Sequence, residues 1–96
     1  MKNKRKAYEE KFDAQFEEWN AQIALLKAKA DKAKANAKIG YYKKIEELER
    51  KQEVAGTKLR ELKNVGDEAW EEFKLGTEKA WDEVKIAYHK IASKFK

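Results

Sequence analysis

Tyr8-Glu-Glu-Lys-Phe-Asp-Ala-Gln-Phe-Glu-Glu-Trp-Asn-Ala-Gln-Ile-Ala-Leu-Leu26 is the stretch that decides the fold class. Its large apolar residues fall at Tyr8, Phe12, Phe16, Trp19, Ile23 and Leu26, in steps of three and four that return to one side of a helix. A strand would need a period of two, which this stretch lacks. Toward the C-terminus the rhythm continues through Ala30, Ala33, Ala37, Tyr41, Ile45 and Leu48, and then through Gln52, Ala55, Leu59 and Leu62. This is a heptad stripe, and it predicts one long coiled-coil helix over 5–63. Three consecutive four-residue steps from Ala33 to Ile45 insert one residue relative to strict heptads and relax the supercoil there. Gly40 lies in that stretch with no proline or second turn residue beside it, so it reads as a weak point inside the helix that costs ~1 kcal/mol. At 1.5 Å per residue the helix would be roughly 90 Å long, and something must cover its stripe.

The strong break is Asn64-Val65-Gly66-Asp67. Glycine can take a left-handed C-terminal cap there, and the aspartate can cap the helix that follows. Beyond it an 11-residue repeat appears: Asp67-Glu-Ala-Trp-Glu-Glu-Phe-Lys74 aligns with Glu78-Lys-Ala-Trp-Asp-Glu-Val-Lys85. Eleven residues are almost three helical turns, so the repeats stack. Trp70, Phe73, Thr77, Trp81, Val84, Tyr88, Ile91 and Phe95 then share one narrow face, widened by Ala69, Ala80 and Ala87. The expected architecture is all-α: a long coiled-coil helix in 1–63, a corner at 64–66 and a shorter amphipathic helix in 67–96. The two helices form either a helical hairpin or an extended, self-associating rod.

Composition narrows the function. The 96 residues contain no cysteine and one histidine, His89, so thiolate chemistry and an imidazole metal cluster are both excluded. Carboxylates are plentiful, but Glu46–Arg50, Glu47–Lys51 and Lys79–Glu83 have the spacing of ordinary surface helix pairs. There is no Glu-x-x-His motif, no phosphate-binding glycine loop and no nucleophile–histidine–acid set. These residues predict no enzyme, no cofactor, no metal and no small-molecule substrate. No apolar run approaches the ~20 residues that span a bilayer, and the basic start Met1-Lys-Asn-Lys-Arg-Lys6 lacks the apolar core of a secretory signal. The expected location is cytoplasmic.

Charge is arranged in blocks of alternating sign: +4 over residues 1–6, −4 over 7–20, +6 over 27–44, 0 over 45–63 and −1 over 64–96. This suits helices that read one another's charges. Lys27, Lys34, Lys38 and Lys44 keep to no single helical stripe beside Tyr41 and Tyr42, which argues against nucleic acid as the partner.

The partner expected from the stripe is a second copy of the chain. The self-association seam is Tyr8, Phe12, Phe16, Trp19, Ile23, Leu26, Ala30, Ala33, Ala37, Tyr41, Ile45, Leu48, Leu59 and Leu62. Two antiparallel copies can set Tyr8 on Tyr41, Phe12 on Ala37, Phe16 on Ala33 and Trp19 on Ala30, large against small, and the acidic block then lies near the basic one. A hairpin that folds the second helix back on the first is the competing arrangement. It would lay basic residues 84–96 beside basic residues 34–46. The amphipathic face Trp70, Phe73, Trp81, Val84, Tyr88, Ile91 and Phe95 packs either on protein or on an anionic membrane surface, toward which Lys74 and Lys85 at its margin can lift their ammonium groups. The function expected is a non-enzymatic structural or scaffolding protein that self-associates into an oligomer or filament; the alternative is a peripheral membrane protein.

The segments Tyr8-Glu-Glu-Lys11, Glu18-Trp-Asn20, Lys29-Ala-Asp-Lys-Ala-Lys-Ala-Asn-Ala-Lys38, Tyr42-Lys-Lys-Ile-Glu-Glu-Leu48 and Gly66-Asp-Glu-Ala-Trp70 together resemble a family of short bacterial coiled-coil proteins of unassigned activity. The resemblance runs over nearly the whole chain. It implies a bacterial source and a helical rod, and it carries over no active-site residue.

Overall fold

The computed structural model describes residues 2–95, with side chains described from residue 3 to residue 94. Three helices account for nearly all of it: α1 (Lys2–Asp31), α2 (Ala35–Asn64) and α3 (Asp67–Ala92), followed by a 3-10 turn, Ser93–Phe95. No strand occurs among the described residues. The protein is all-α.

The single helix expected over 5–63 is instead two helices of 30 residues each, separated by a turn at Lys32–Lys34. The long dimension of the molecule is 51 Å, with 18 and 17 Å across it. The reason is energetic. A lone helix would leave Phe12, Trp19 and Ile23 in water, whereas reversing at 32–34 buries them to 5–7% exposure against the rest of the chain. Gly40 lies inside α2. The second reversal falls at Val65–Gly66, but neither residue adopts the left-handed conformation expected of a glycine cap: both are extended, with φ −81° and ψ 154° at Val65 and φ −70° and ψ 162° at Gly66. Asp67 is the first residue of α3, and no side chain caps that helix.

α2 runs antiparallel to α1, as Asp13–Lys63, Asn20–Gln52 and Lys27–Glu49 show. α3 runs antiparallel to α2, with Thr77 beside Lys58 and Tyr41 beside Lys94, and is therefore parallel to α1. Side-chain size sets the spacing. α2 presents Ile45, Leu48, Gln52, Ala55, Gly56, Leu59 and Leu62 to the interior, all aliphatic, small or amide. The large rings sit on α1 and α3, and those two helices keep their backbones farther from each other than either does from α2.

Gly56 shows how tightly α1 and α2 approach. A Cβ placed there would stand 3.1 Å from Phe16 Cε2, whereas one at Gly40 or Gly76 would meet nothing within 4 Å. Gly56→Leu should therefore destabilise the bundle by about 1–3 kcal/mol through overpacking. Gly40→Ala and Gly76→Ala should each stabilise it by about 0.5–1 kcal/mol through helix propensity. Urea denaturation followed by circular dichroism measures all three.

Candidate functional site

The residues expected to mediate association lie inside one chain. Phe12, Trp19, Ile23, Leu26, Ala30, Ile45, Leu48, Leu59 and Leu62 are buried, and Tyr8, Phe16, Ala33 and Tyr41 are half-buried. Ala37 is exposed. On α3, Trp70, Trp81, Val84 and Ile91 are buried and Tyr88 is half-buried, whereas Phe73 is 38% exposed. The side chain of Phe95 lies outside the described residues. The stripe and the amphipathic face are thus brought together, each covering the other.

Rings hold α1 to α3. Trp81 lies 4.7 Å from Phe12 and 4.8 Å from Trp19, centroid to centroid, with Phe16 at 6.3 Å; Tyr8 stands 5.9 Å from Trp70. All these pairs are tilted, the arrangement that ring quadrupoles favour over a face-to-face stack. The Lys74 ammonium sits 4.3 Å from the Tyr8 ring centre and 5.6 Å from that of Trp70, so this marginal lysine lies over aromatic faces of its own chain. Trp81 Nε1 is buried without a hydrogen-bond partner, a desolvation penalty that the surrounding ring contacts must offset.

At the end where the chain begins, Arg5 forms a clamp. Its Nη2 donates to the carbonyl oxygens of Leu62 (3.2 Å), Lys63 (3.1 Å) and Val65 (2.7 Å), its Nη1 to Asp67 Oδ1 (2.8 Å) and its Nε to Glu9 Oε2 (3.0 Å). Trp70 Nε1 donates to the same Glu9 oxygen at 3.0 Å. The last carbonyls of α2 have no partners within their helix, and a planar guanidinium can reach several of them at once. Hydrogen bonding to Glu9 raises the Arg5 pKa above its ordinary value against the opposing effect of burial, and Asp67 acts in the same direction as Glu9. The sequence reading places Arg5 in the basic block over 1–6, at the start of the expected long helix. The available signal was its spacing of four from Glu9, an ordinary helix pair that says nothing of contacts nearly sixty residues away.

The opposite end is basic. Lys94 and Lys44 approach each other, and the Lys94 pKa is lowered because its neutral amine can accept a hydrogen bond from the Lys44 ammonium, whose like charge also disfavours a second ammonium there. An open groove of about 230 Å³ adjoins Lys44, lined by the apolar Leu48, Ile86, Ala87 and Ile91 and by charges of both signs, Lys51 and Lys90 with Glu47 and Glu83. Between the ends, Gln52 Nε2 donates to Asn20 Oδ1 at 2.5 Å, an amide pair that interrupts the apolar seam and fixes the register of α1 on α2. Among the described residues no group of histidine and carboxylate side chains could hold a metal ion, and His89 is exposed with its ring 5.9 Å from Tyr88. No described helix is long and apolar enough to cross a membrane.

Arg5→Ala should lower stability by about 1–2 kcal/mol, since several carbonyls and the Glu9 carboxylate lose a charged donor. Arg5→Lys should recover less than half of that loss, because an ammonium on a flexible stem cannot span the same acceptors; thermal denaturation of the three proteins side by side decides it. No protein-family model, curated protein or solved structure matches this chain.

Proposed function

We propose that this chain is a non-enzymatic structural protein, a helix-packing scaffold whose partner is a further copy of itself. The observation that carries the reading is how apolar surface is distributed. The seam residues of all three helices are engaged with one another, yet Leu25 on α1, Ile39 and Val54 on α2, and Leu75 and Ile86 on α3 each remain more than half exposed. Every helix therefore keeps apolar contact area for a neighbour. The polar groups near the core pair with each other or with helix-end carbonyls, as Arg5, Gln52 and Lys63 do, rather than converging on a cleft. Oligomers and filaments assembled through coiled-coil packing are the setting in which such a chain would act.

The lipid reading has weaker support. Trp70 and Trp81, which would have to enter the membrane interface, are 4% and 2% exposed, so α3 would have to leave the bundle first. Light scattering behind size exclusion, over about two orders of magnitude in concentration, tests the proposal. A mass that rises to a defined oligomer supports self-assembly, and a constant monomer mass overturns it. A blue shift of tryptophan emission on adding anionic vesicles to a constant monomer would move the assignment to the membrane surface.

A further inference from the structure

The two turns of the bundle are built differently. At Val65–Gly66 the Asn64 side-chain amide caps the carbonyl of Arg60 at 2.9 Å, and Arg5 holds the three carbonyls of Leu62, Lys63 and Val65. At Lys32–Lys34 there is no glycine, no proline and no left-handed residue. α1 closes on two short backbone bonds, Lys32 N to Lys29 O and Ala33 N to Ala30 O, and α2 begins at Lys34 without a side-chain cap. The Tyr42 hydroxyl, donating to the Asp31 carboxylate, spans the turn. Lysine and alanine rank among the strongest helix formers, so this turn opposes the preference of its own residues.

The register of α1 on α2 adds a second observation. In the pairs Asp13–Lys63, Phe16–Gly56, Asn20–Gln52, Lys27–Glu49 and Asp31–Tyr42 the two position numbers add to between 72 and 76. A hairpin folded symmetrically about Ala33 would give 66. α2 therefore overshoots the end of α1, and α3 reaches only as far as Tyr41, which meets the Lys94 carbonyl. Residues 35–40 project from the bundle: Ala35, Asn36, Ala37, Ile39 and Gly40 are exposed, and Ile39, at 69%, is the most exposed large apolar residue among the described ones.

The geometry points to helix exchange between two copies, with 32–34 as the hinge; this rests on the self-association reading and specifies its mode. Residues 32–34 become helical, α1 and α2 join into one helix over 2–64, and each α1 lies on the α2–α3 hairpin of the other copy. Every α1 contact described above, including the Arg5 clamp and the ring cluster, is recreated between chains. The two-fold axis crosses the joined helices near 36–38, half the register sum. There the small side chains of Ala33, Ala35 and Ala37, with Gly40, let the two projecting segments pass closely and cover each other. Lys32, Lys34 and Lys38 of both copies converge on that axis, so added salt favours exchange by screening them.

Ala35→Pro separates the two states. Lys34 has φ −64° and ψ 151°, the extended conformation a residue before proline prefers, and position 35 is the first of α2, where proline is well tolerated. In the joined helix the same proline is interior and disruptive. Each exchanged dimer holds two such prolines, so the dimer of the Ala35→Pro protein should need on the order of ten-thousandfold more protein to form, with the monomer still folded by circular dichroism. Asn20→Cys with Gln52→Cys, refolded and oxidised at high concentration, should give covalent dimers, and adding Ala35→Pro should convert them to internally bridged monomers. If the native chain oligomerises but the double-cysteine protein forms only internal bridges, or if Ala35→Pro leaves the oligomer unchanged, exchange is overturned while self-association through outer faces stands. A native chain that stays monomeric at every concentration overturns both.

Discussion

The contact of Trp81 with Phe12 and Trp19 is the constraint on which the bundle depends. α1 and α3 keep their backbones farther apart than either lies from α2, and the space between them is filled by rings carried on both helices. α2, whose buried residues are small, aliphatic or amide, with Tyr41 half-buried near its start, can approach both neighbours closely, to the point where a methyl at Gly56 would press on Phe16. A bundle made from one wide interface and two narrow ones has a defined set of neighbours, because no helix can take another's place without leaving a void or a clash. The buried indole N–H of Trp81 has no partner, so packing outweighs a lost hydrogen bond at the centre of the molecule.

With the rings fixing where α1 lies, the two turns become unequal in what they must do. The corner at Val65–Gly66 is held from outside by Arg5 on α1 and from inside by Asn64. The turn at Lys32–Lys34 follows from packing rather than from its own chemistry. The α2–α3 hairpin is accordingly the locked element, and α1 is the arm that both covers it and completes its corner.

This asymmetry also explains which parts of the fold were legible in the sequence. The three-and-four spacing from Tyr8 to Leu62 and the 11-residue repeat name the interior faces, because periodicity reports which side of a helix meets something apolar. It does not report what that something is, so one stripe read as a seam between copies is here an interior within a copy. The break at Val65–Gly66 was visible through a glycine, although that glycine is extended rather than left-handed. The break at Lys32–Lys34 was invisible: local preference there favours helix, and only the burial of rings tens of residues away overrides it. Phe73 shares its face with the interior residues by angle alone, yet it is 38% exposed while Trp70, nearer the corner, is buried, since the wheel treats a face as uniform. Arg5 was beyond reach because its partners are carbonyls, and every residue has one.

The charge blocks acquire a different meaning once the direction of each helix is known. Lys29 and Lys32 at the end of α1, Lys34, Lys38, Lys43 and Lys44 at the start of α2, and Lys90 and Lys94 at the end of α3 all collect at one end of the bundle. Two helix C-termini and one N-terminus meet there, and the excess of C-termini carries partial negative charge that offsets the crowding of ammonium groups. Crowding nonetheless persists where Lys44 meets Lys94. At the other end two N-termini meet one C-terminus, and Glu9, Asp67 and Glu68 lie there beside Arg5. The blocks match the helix dipoles only in part: α3 opens on Asp67 and Glu68 and closes on His89 and Lys90, whereas neither α1 nor α2 has an acidic residue in its first turn. Any preference for pairing must come from the apolar residues left exposed on the three helices, from the projecting start of α2 and from a turn whose residues favour being helix.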